Sequence, residues 1–358
     1  MTLILVFIFI ILAYFSVHAE LTYNTKSKLT FLTILCFLVA LLAGLRSEEW
    51  ADTLVYITSF NRETYSIWDL NLNSHSMYYN EVGFYWLGFI VKTFSDNYHI
   101  YLLFISAITI FILFKDLRKY SIFPILGLFV YIARFYIGRN FMQIRAGLSY
   151  VIIIFATKYI QERKFWKFLL VIFIAYQFHH SAVIALPVYF LCNWMTLKKW
   201  HICVGLAIAF IIGAFFQGFV HTFVVDNASD LNISSDYIEG GVKSYVEGRG
   251  LANPMIYFQS FILLAYTFLE KRLVAIDKYY YVIRAGYFYS TLILIMFCTY
   301  SVLSGRTSSI FATYEIAIIP SLIMLFNKKN RTLAYIILIV ALASIFYLNI
   351  SNTPFGRL

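Results

Sequence analysis

Runs of apolar residues long enough to cross a bilayer core, which takes roughly 20 residues, follow one another along nearly the whole chain and are cut apart by short basic hinges. This segmentation restricts the fold more than any other feature. The runs lie at 2–18, 29–45, 98–114, 121–137, 141–159, 166–178, 181–195, 202–224, 254–270, 281–303, 308–326 and 332–349. Hydrophobic residues make up 61% of the 358 and charged residues 13%, whereas a soluble domain is nearer half apolar and a quarter charged. In lipid every backbone polar group must be satisfied internally, and runs of this length do so as helices. The expectation is an all-α, polytopic integral membrane protein of one domain, 1–358, with about 12 transmembrane helices (range about 11–14). Met1–Val17 has no basic n-region and no small-residue cleavage site, so it reads as a retained first span.

The basic residues fall into two sets. Lys26, Lys28, Lys115, Arg118, Lys119, Lys158, Arg163, Lys164, Lys167, Lys198, Lys199, Lys271, Arg272, Lys278, Arg284, Lys328, Lys329 and Arg331 occupy the short hinges. Such hinges are expected on the cytoplasmic side. Both termini then face outward, as do two long acidic loops, 46–97 and 225–253. The second set is Arg46, Arg62, Lys92, Arg134, Arg139, Arg145, Lys243, Arg249, Arg306 and Arg357. It lies on the outer side, where topology calls for few cations, and is mostly arginine. The planar guanidinium binds phosphate bidentately and keeps its charge, so the pattern points to an anion site at the outer face. The formal net charge of +10 is dispersed over loops on both sides and forms no basic stripe, which argues against a nucleic-acid partner.

Two stretches resist a simple helix count. Residues 82–94 (VGFYWLGFIVKTF) are too short to cross and read as a re-entrant or interfacial segment. Residues 165–197 must leave the inner side and return within a short length, with Gln177, His179 and His180 at the turn. Non-helical backbone and polar groups at that depth are tolerated where they line an enclosed or watery cavity. Cys36, Cys192, Cys203 and Cys298 lie in or beside apolar runs without CxxC spacing and read as small buried hydrophobes.

The candidate site residues cluster at the outer ends of the runs. Arg46 ends the second run and is followed by Glu49, Asp52 and Tyr56; it reads either as a snorkelling anchor or as a paired functional cation. Glu81 precedes the short apolar segment and reads either as a helix cap or as a catalytic carboxylate. In IARFYIGRNFMQIRAGLSY, Gly138 interrupts the run, and Arg139, Gln143 and Arg145 enter the next one. On a single α-helix, residues six apart point about 120° from each other. Arg139 and Arg145 therefore converge on one ligand only if Arg139 lies in a frayed first turn. An ionisable residue at such depth is a functional candidate by default. His179 and His180 suit hydrogen bonding or proton transfer, with His180 preferred because Ser181 and Ala182 follow it. Arg306 sits at another outer rim with Tyr314 and Glu315 beyond it, and Glu315 inside a run demands a partner. No Cys, Asp or further His recurs at metal-ligand spacing around the histidines, so no metal and no cofactor is expected.

At these residues the chain resembles the EpsG-type, or Wzy-type, polysaccharide polymerases of bacterial envelopes. The likeness rests on AGLR followed by an acid and a tyrosine (Ala43–Arg46, Asp52, Tyr56), EVGFYWL (Glu81–Leu87), QIRAGLS (Gln143–Ser149), FHHSAVIALP (Phe178–Pro187), and Gly305, Arg306 and Tyr314, all in order. It departs from the family pattern in reading SEEWAD where Gly-x-Asp is usual, and in having Ala146 after the central arginine. The resemblance implies a glycosyltransferase of the bacterial cytoplasmic membrane that joins polyprenyl-pyrophosphate-linked oligosaccharide repeat units at the outer face. Arg46, Arg139, Arg145 and Arg306 would bind the pyrophosphate, and Asp52, Glu81 or His180 would act as general base. Tyr56, Gln143, His179 and Tyr314 would support them. Membrane lipid and a polysaccharide chain-length regulator are the further partners expected. The rival readings are a flippase for lipid-linked oligosaccharide, against which the chain shows no internal repeat; an O-antigen ligase, whose larger outer loop with paired His and Arg is not matched by 225–253; and a non-catalytic envelope protein, which would leave the rim arginines unexplained.

Overall fold

The computed structural model describes residues 2–22, 24–50, 52–62, 81–195, 197–226, 249–351 and 353–354. Of the two long loops, residues 63–80 of the first and 227–248, most of the second, lie outside the described residues. All regular structure among the described residues is helical. In chain order the helices are α1 (Thr2–Thr22), α2 (Thr25–Gly44), α3 (Thr53–Arg62), α4 (Val82–Lys92), α5 (Tyr98–Tyr120), α6 (Pro124–Tyr131), a π-helix (Ile132–Met142), α7 (Ile144–Phe155), α8 (Thr157–Gln161) and α9 (Phe165–Tyr176). A 3₁₀ helix (His180–Ala185), α10 (Leu186–Trp194), α11 (Lys199–Phe215), α12 (Gln217–Asp226) and a short 3₁₀ turn (Gly250–Ala252) follow. The chain continues with α13 (Pro254–Phe268), α14 (Glu270–Leu273), α15 (Tyr280–Met296), α16 (Ser301–Ala312), α17 (Glu315–Met324) and α18 (Lys328–Ser351).

The helical membrane class expected from the sequence is present, but the count of about 12 spans is not supported. Four helices are long and apolar enough to cross a bilayer: Leu3–Thr22, Thr25–Gly44, Tyr98–Tyr120 and Asn330–Ser351. A fifth is reached if Leu303–Ala312 and Glu315–Met324 form one broken span. The reason is local. The apolar runs at 121–137, 202–224 and 308–326 continue in composition while their helices are interrupted or change type, at Tyr131, Phe216 and Thr313. Hydropathy counts apolar side chains and cannot see a break in the i→i−4 ladder. The two irregular stretches are short as expected: α4 has 11 residues, and α9 has 12 before the 3₁₀ helix begins at His180.

The chain forms two units. The first comprises 1–159, 164–186 and 315–358; the second comprises 160–163 and 187–314. In the first, α2 packs along α5, α1 along α18, α6 against α17, and α7 between α5 and α9. Glu20, buried near the end of α1, accepts from the backbone N–H groups of Ile125 and Leu126, both at 2.9 Å. Pro124 stands in the first turn of α6, where its missing N–H costs nothing, so the carboxylate meets two otherwise orphaned donors.

In the second unit α15 is central, packed by α11, α13 and α16. Its Arg284 is 2% exposed yet charged, and three polar partners hold it there. Arg284 donates to the Leu197 carbonyl at 2.6 Å, to Glu270 at 3.1 Å and to the Tyr280 hydroxyl at 3.3 Å. Beside it, the Tyr266 hydroxyl donates to Asp277 at 2.6 Å, and the Tyr279 N–H to the other carboxylate oxygen at 2.8 Å. Burial outweighs these bonds and pushes the Asp277 carboxyl above the usual carboxylate range. The basic hinge at 271–284 is thereby an ordered junction rather than a loose loop.

Candidate functional site

The first unit gathers nine of the eleven residues singled out from sequence, and the π-helix is the element that organises them. In an α-helix, residues five apart point about 140° from each other. The i→i+5 bonding of a π-helix instead brings them near one face. Arg134 and Arg139 are five apart, and both guanidinium groups lie over Phe135, with Cζ at 5.2 and 4.2 Å from the ring centre. Arg134 also forms a two-pronged pair with Glu315 at the start of α17, Nε to Oε2 at 2.8 Å and Nη2 to Oε1 at 3.1 Å. Glu315 is completely buried, so the partner demanded by an acid at that position is Arg134. Arg139 is itself buried, hydrogen-bonds to the Tyr131 hydroxyl, and lies over the Tyr150 ring at 5.2 Å.

The expectation that Arg139 and Arg145 share one helix is not met. Gly138 does not break the run but lies inside the π-helix, which ends at Met142; α7 begins afresh at Ile144. Gln143 joins the two, donating its N–H to the Gly138 carbonyl at 2.7 Å and accepting from the Gly147 N–H at 2.8 Å. α7 then packs against the π-helix so closely that a Cβ on Gly147 would sit 2.5 Å from the Arg139 carbonyl oxygen. Only glycine permits this approach, and it sets Arg139 beside Tyr150 of the next helix.

Arg145 faces a different neighbour. It is ion-paired with Glu81, the residue before α4, and hydrogen-bonds to the buried Tyr56 hydroxyl. The Glu81 side chain does not cap its own helix; Arg145 takes it instead. Arg145 is 22% exposed, against 4% for Arg139 and 3% for Arg46, so among these three it is the one a ligand reaches most readily. Glu81 is located through its neighbour. The Gly83 N–H donates to the Gln177 carbonyl at 2.8 Å, and a Cβ on Gly83 would fall 2.8 Å from both that oxygen and the Gln177 Cβ. The turn after α9 therefore anchors the start of α4, and the glycine of the EVGFYWL stretch makes the contact possible.

Arg46 neither snorkels nor pairs with the acids that follow it. It is buried and donates to the Ala43 carbonyl at 2.8 Å, to Thr53 Oγ1 at 3.0 Å and to the Asn140 carbonyl at 3.3 Å. Thr53 in turn donates to the Phe141 carbonyl at 3.2 Å. Arg46 thus ties the end of α2 and the start of α3 to the last turn of the π-helix, where the end of the helix leaves carbonyls to be satisfied. Its Nη2 is buried without a hydrogen-bond partner among the described residues. Asp52 is exposed and adopts φ 61°, the left-handed region that Asp tolerates better than most residues. Its carbonyl accepts from the Tyr56 N–H at 3.1 Å, opening α3.

The two histidines differ. His179 caps the 3₁₀ helix: its Nδ1 accepts from the Ser181 N–H at 3.2 Å and lies 2.7 Å from Ser181 Oγ. Its ring stands edge-on to Tyr150 at 6.3 Å. His180 stacks on Tyr176 at 4.7 Å. The two remaining candidates belong to the second unit. Arg306 is half-buried in α16, and Tyr314 is buried beside Phe311 with ring centres 5.6 Å apart. Arg134 is the functional candidate that sequence reasoning passed over. Two signals were available: its five-residue spacing from Arg139, and the unmatched acid at Glu315.

A multi-pass helical membrane protein with an arginine-rich, aromatic-lined site in its first unit is the class these features define. The chain matches the EpsG family over residues 29–357 and belongs to that family, one of polysaccharide-polymerase type. No curated protein and no solved structure matches the chain.

Proposed function

We propose that this protein polymerises polyprenyl-pyrophosphate-linked oligosaccharide repeat units at the outer face of the bacterial cytoplasmic membrane. The observation that carries the reading is the charge balance around the π-helix. Arg46, Arg134, Arg139 and Arg145 meet there with two buried carboxylates, Glu81 and Glu315. Arginines in a low-dielectric site are costly, and an excess of them suits an anionic ligand with several oxygens. In the proposed reaction an acceptor hydroxyl attacks the anomeric carbon, and the bond from that carbon to the pyrophosphate oxygen breaks. The carboxylate of Asp52 takes the hydroxyl proton, and the pyrophosphate leaves carrying the bonding pair. Charge grows on the leaving group as the oxocarbenium-like transition state forms, so preorganised cations lower the barrier. Arg145 and Arg139 fill that role. Glu81 orients Arg145, and Arg46 holds the π-helix in place. A chain-length regulator remains the proposed protein partner.

The direct test is purified protein in liposomes supplied with lipid-linked repeat units. The expected product is a ladder of polymers with release of polyprenyl pyrophosphate. Movement of the units across the bilayer without chain growth would replace this reading with a transporter. Because arginine carries the charge, polymerisation should persist in excess EDTA. Loss of activity with chelator and recovery with magnesium would refute the arginine-only scheme.

The orientation has its own test. In a background with the four native cysteines replaced by serine, Asp96→Cys should react with an impermeant maleimide from outside intact spheroplasts. Gln161→Cys, next to a Lys-rich hinge, should react only after permeabilisation. The reverse pattern would place the site on the cytoplasmic side.

A further inference from the structure

Two basic hinges of the second unit, at 197–199 and 270–272, lie against one another. The buried Arg284 joins them by donating to the Leu197 carbonyl at 2.6 Å and to Glu270 at 3.1 Å. Lys198 and Lys271 are each the residue that follows one of these partners. Lys199 adds a second link, its Nζ donating to the Phe268 carbonyl at 3.4 Å. Lys198, Lys271 and Arg272 are exposed. The two acids of the 270–278 stretch are committed elsewhere: Glu270 to Arg284 and the Tyr281 hydroxyl, Asp277 to Tyr266 and the Tyr279 N–H. Among the described residues no carboxylate pairs with Lys198, Lys199, Lys271 or Arg272.

The backbone adds to this positive field. Lys198 and Lys199 stand at the start of the 17-residue α11, whose first turn holds no acid. Cations there oppose the helix dipole, and an anion would relieve both. The neighbouring apolar side chains indicate which kind of anion. Along α11, Trp200, Val204, Ile208, Ile211 and Phe215 are exposed, three or four residues apart, which is one helical stripe. Ile202, Leu206, Ala209 and Gly213 of the same helix are buried. In a membrane protein such a stripe is covered by acyl chains. It begins at Trp200, directly after the two lysines, and Trp194 and Phe268 beside the hinges are 78% and 58% exposed. Tryptophan marks the headgroup level of a bilayer. The four cations therefore stand where the headgroup of a lipid covering the stripe would fall.

We propose that this junction is a binding site for the headgroup of an anionic phospholipid. Lys198, Lys199, Lys271 and Arg272 hold the phosphate while the acyl chains lie along α11. A soluble phosphate would meet the same cations but gain nothing from the stripe, so lipid is the occupant. A bound headgroup ties the start of α11 to the connection between α13 and α15. The site lies within the second unit and does not depend on the polymerase reading.

The test takes the full chain in a non-ionic detergent and titrates it with dioleoyl phosphatidylglycerol or dioleoyl phosphatidylcholine. Native mass spectrometry reads bound lipid, and the melting temperature is a second readout. Phosphatidylglycerol should bind more tightly and raise the melting temperature. Each basic residue near the headgroups contributes about fivefold in affinity. Lys271→Gln with Arg272→Gln should therefore weaken phosphatidylglycerol by about 25-fold and leave phosphatidylcholine unchanged. Lys115→Gln with Arg118→Gln removes the same charge from the end of α5 and should leave both lipids unchanged. Lys271→Arg with Arg272→Lys keeps the charge and should bind as wild type, which separates charge from damage to the fold. Equal binding of the two lipids by wild-type protein would overturn the proposal. Equal weakening by the α5 pair would do the same, since the charge would then act diffusely. Loss of binding in the charge-keeping exchange would show that charge does not hold the lipid. Glycerol phosphate should not raise the melting temperature; if it matches phosphatidylglycerol, the occupant is a soluble anion and the lipid assignment fails.

Discussion

Arg145→Lys should be almost as inactive as Arg145→Ala. The loss expected is on the order of 2–4 kcal/mol of transition-state stabilisation, roughly a 30- to 1000-fold drop in rate. Lysine keeps the charge but not the planar fork, and Arg145 must hold Glu81 and Tyr56 while presenting a donor to the ligand. A single ammonium on a flexible stem cannot reproduce that division of donors. Polymer length and initial rate in reconstituted liposomes, with protein amount matched, are the measurement. Arg62→Ala, an exposed cation at the end of α3, should remain near the wild-type rate and controls for general loss of outer charge. Near-wild-type activity in Arg145→Lys would show that charge alone suffices and would remove the bidentate argument. Full activity in Arg145→Ala would remove the residue from the mechanism.

The second large effect concerns stability. Arg134→Ala leaves Glu315 fully buried without its two-pronged partner, and breaking a buried pair by removing one member costs about 3–5 kcal/mol. The expected result is a marked fall in thermal stability in detergent, together with loss of activity. Arg134→Met combined with Glu315→Leu removes both charges in similar volume, and such replacements are often neutral or stabilising. The double variant should therefore recover the melting temperature. It should not recover activity, because Arg134 and Arg139 flank the same Phe135 ring and the π-helix would lose the ion pair that fixes its face. Recovery of both would mean that the pair serves the fold alone. A melting temperature that stays low in the double variant would instead show that packing at Phe135, and not the unpaired charge, is what the single substitution disturbs.

The opposed outcomes for these two arginines follow from exposure and partners. Arg145 is the more reachable, and its carboxylate comes from a segment anchored through Gly83 and Gln177. Arg134 is nearly closed off, paired with an acid that no solvent touches. Arg139 lies between the two cases, packed over two aromatic rings beside His179. An arginine set read from sequence as one group therefore divides into a partly exposed residue, which the proposed reaction assigns to the ligand, one that maintains the local fold, and one held between aromatic faces.

What the sequence by itself determined was whatever depends on composition along the chain. Apolar runs and Lys-rich hinges specified a helical membrane protein, because lipid leaves the backbone few other choices. Costly polar residues in apolar surroundings pointed to Arg46, Glu81, Arg139, Arg145 and Glu315 before any contact was known, because their burial needs a reason. The family resemblance likewise lay in ordered local motifs. Pairing was decided only by tertiary structure. Glu81 meets Arg145 across 64 positions and Glu315 meets Arg134 across 181, and no periodicity spans such distances. The span count failed for a related reason: apolarity persists where the hydrogen-bond ladder changes from α to π or breaks, so hydropathy cannot register the change. Arg134 and Arg139 share a face only because the backbone between them is a π-helix, and whether an arginine binds a ligand or a neighbouring carboxylate is set by what packing leaves within reach of its fork.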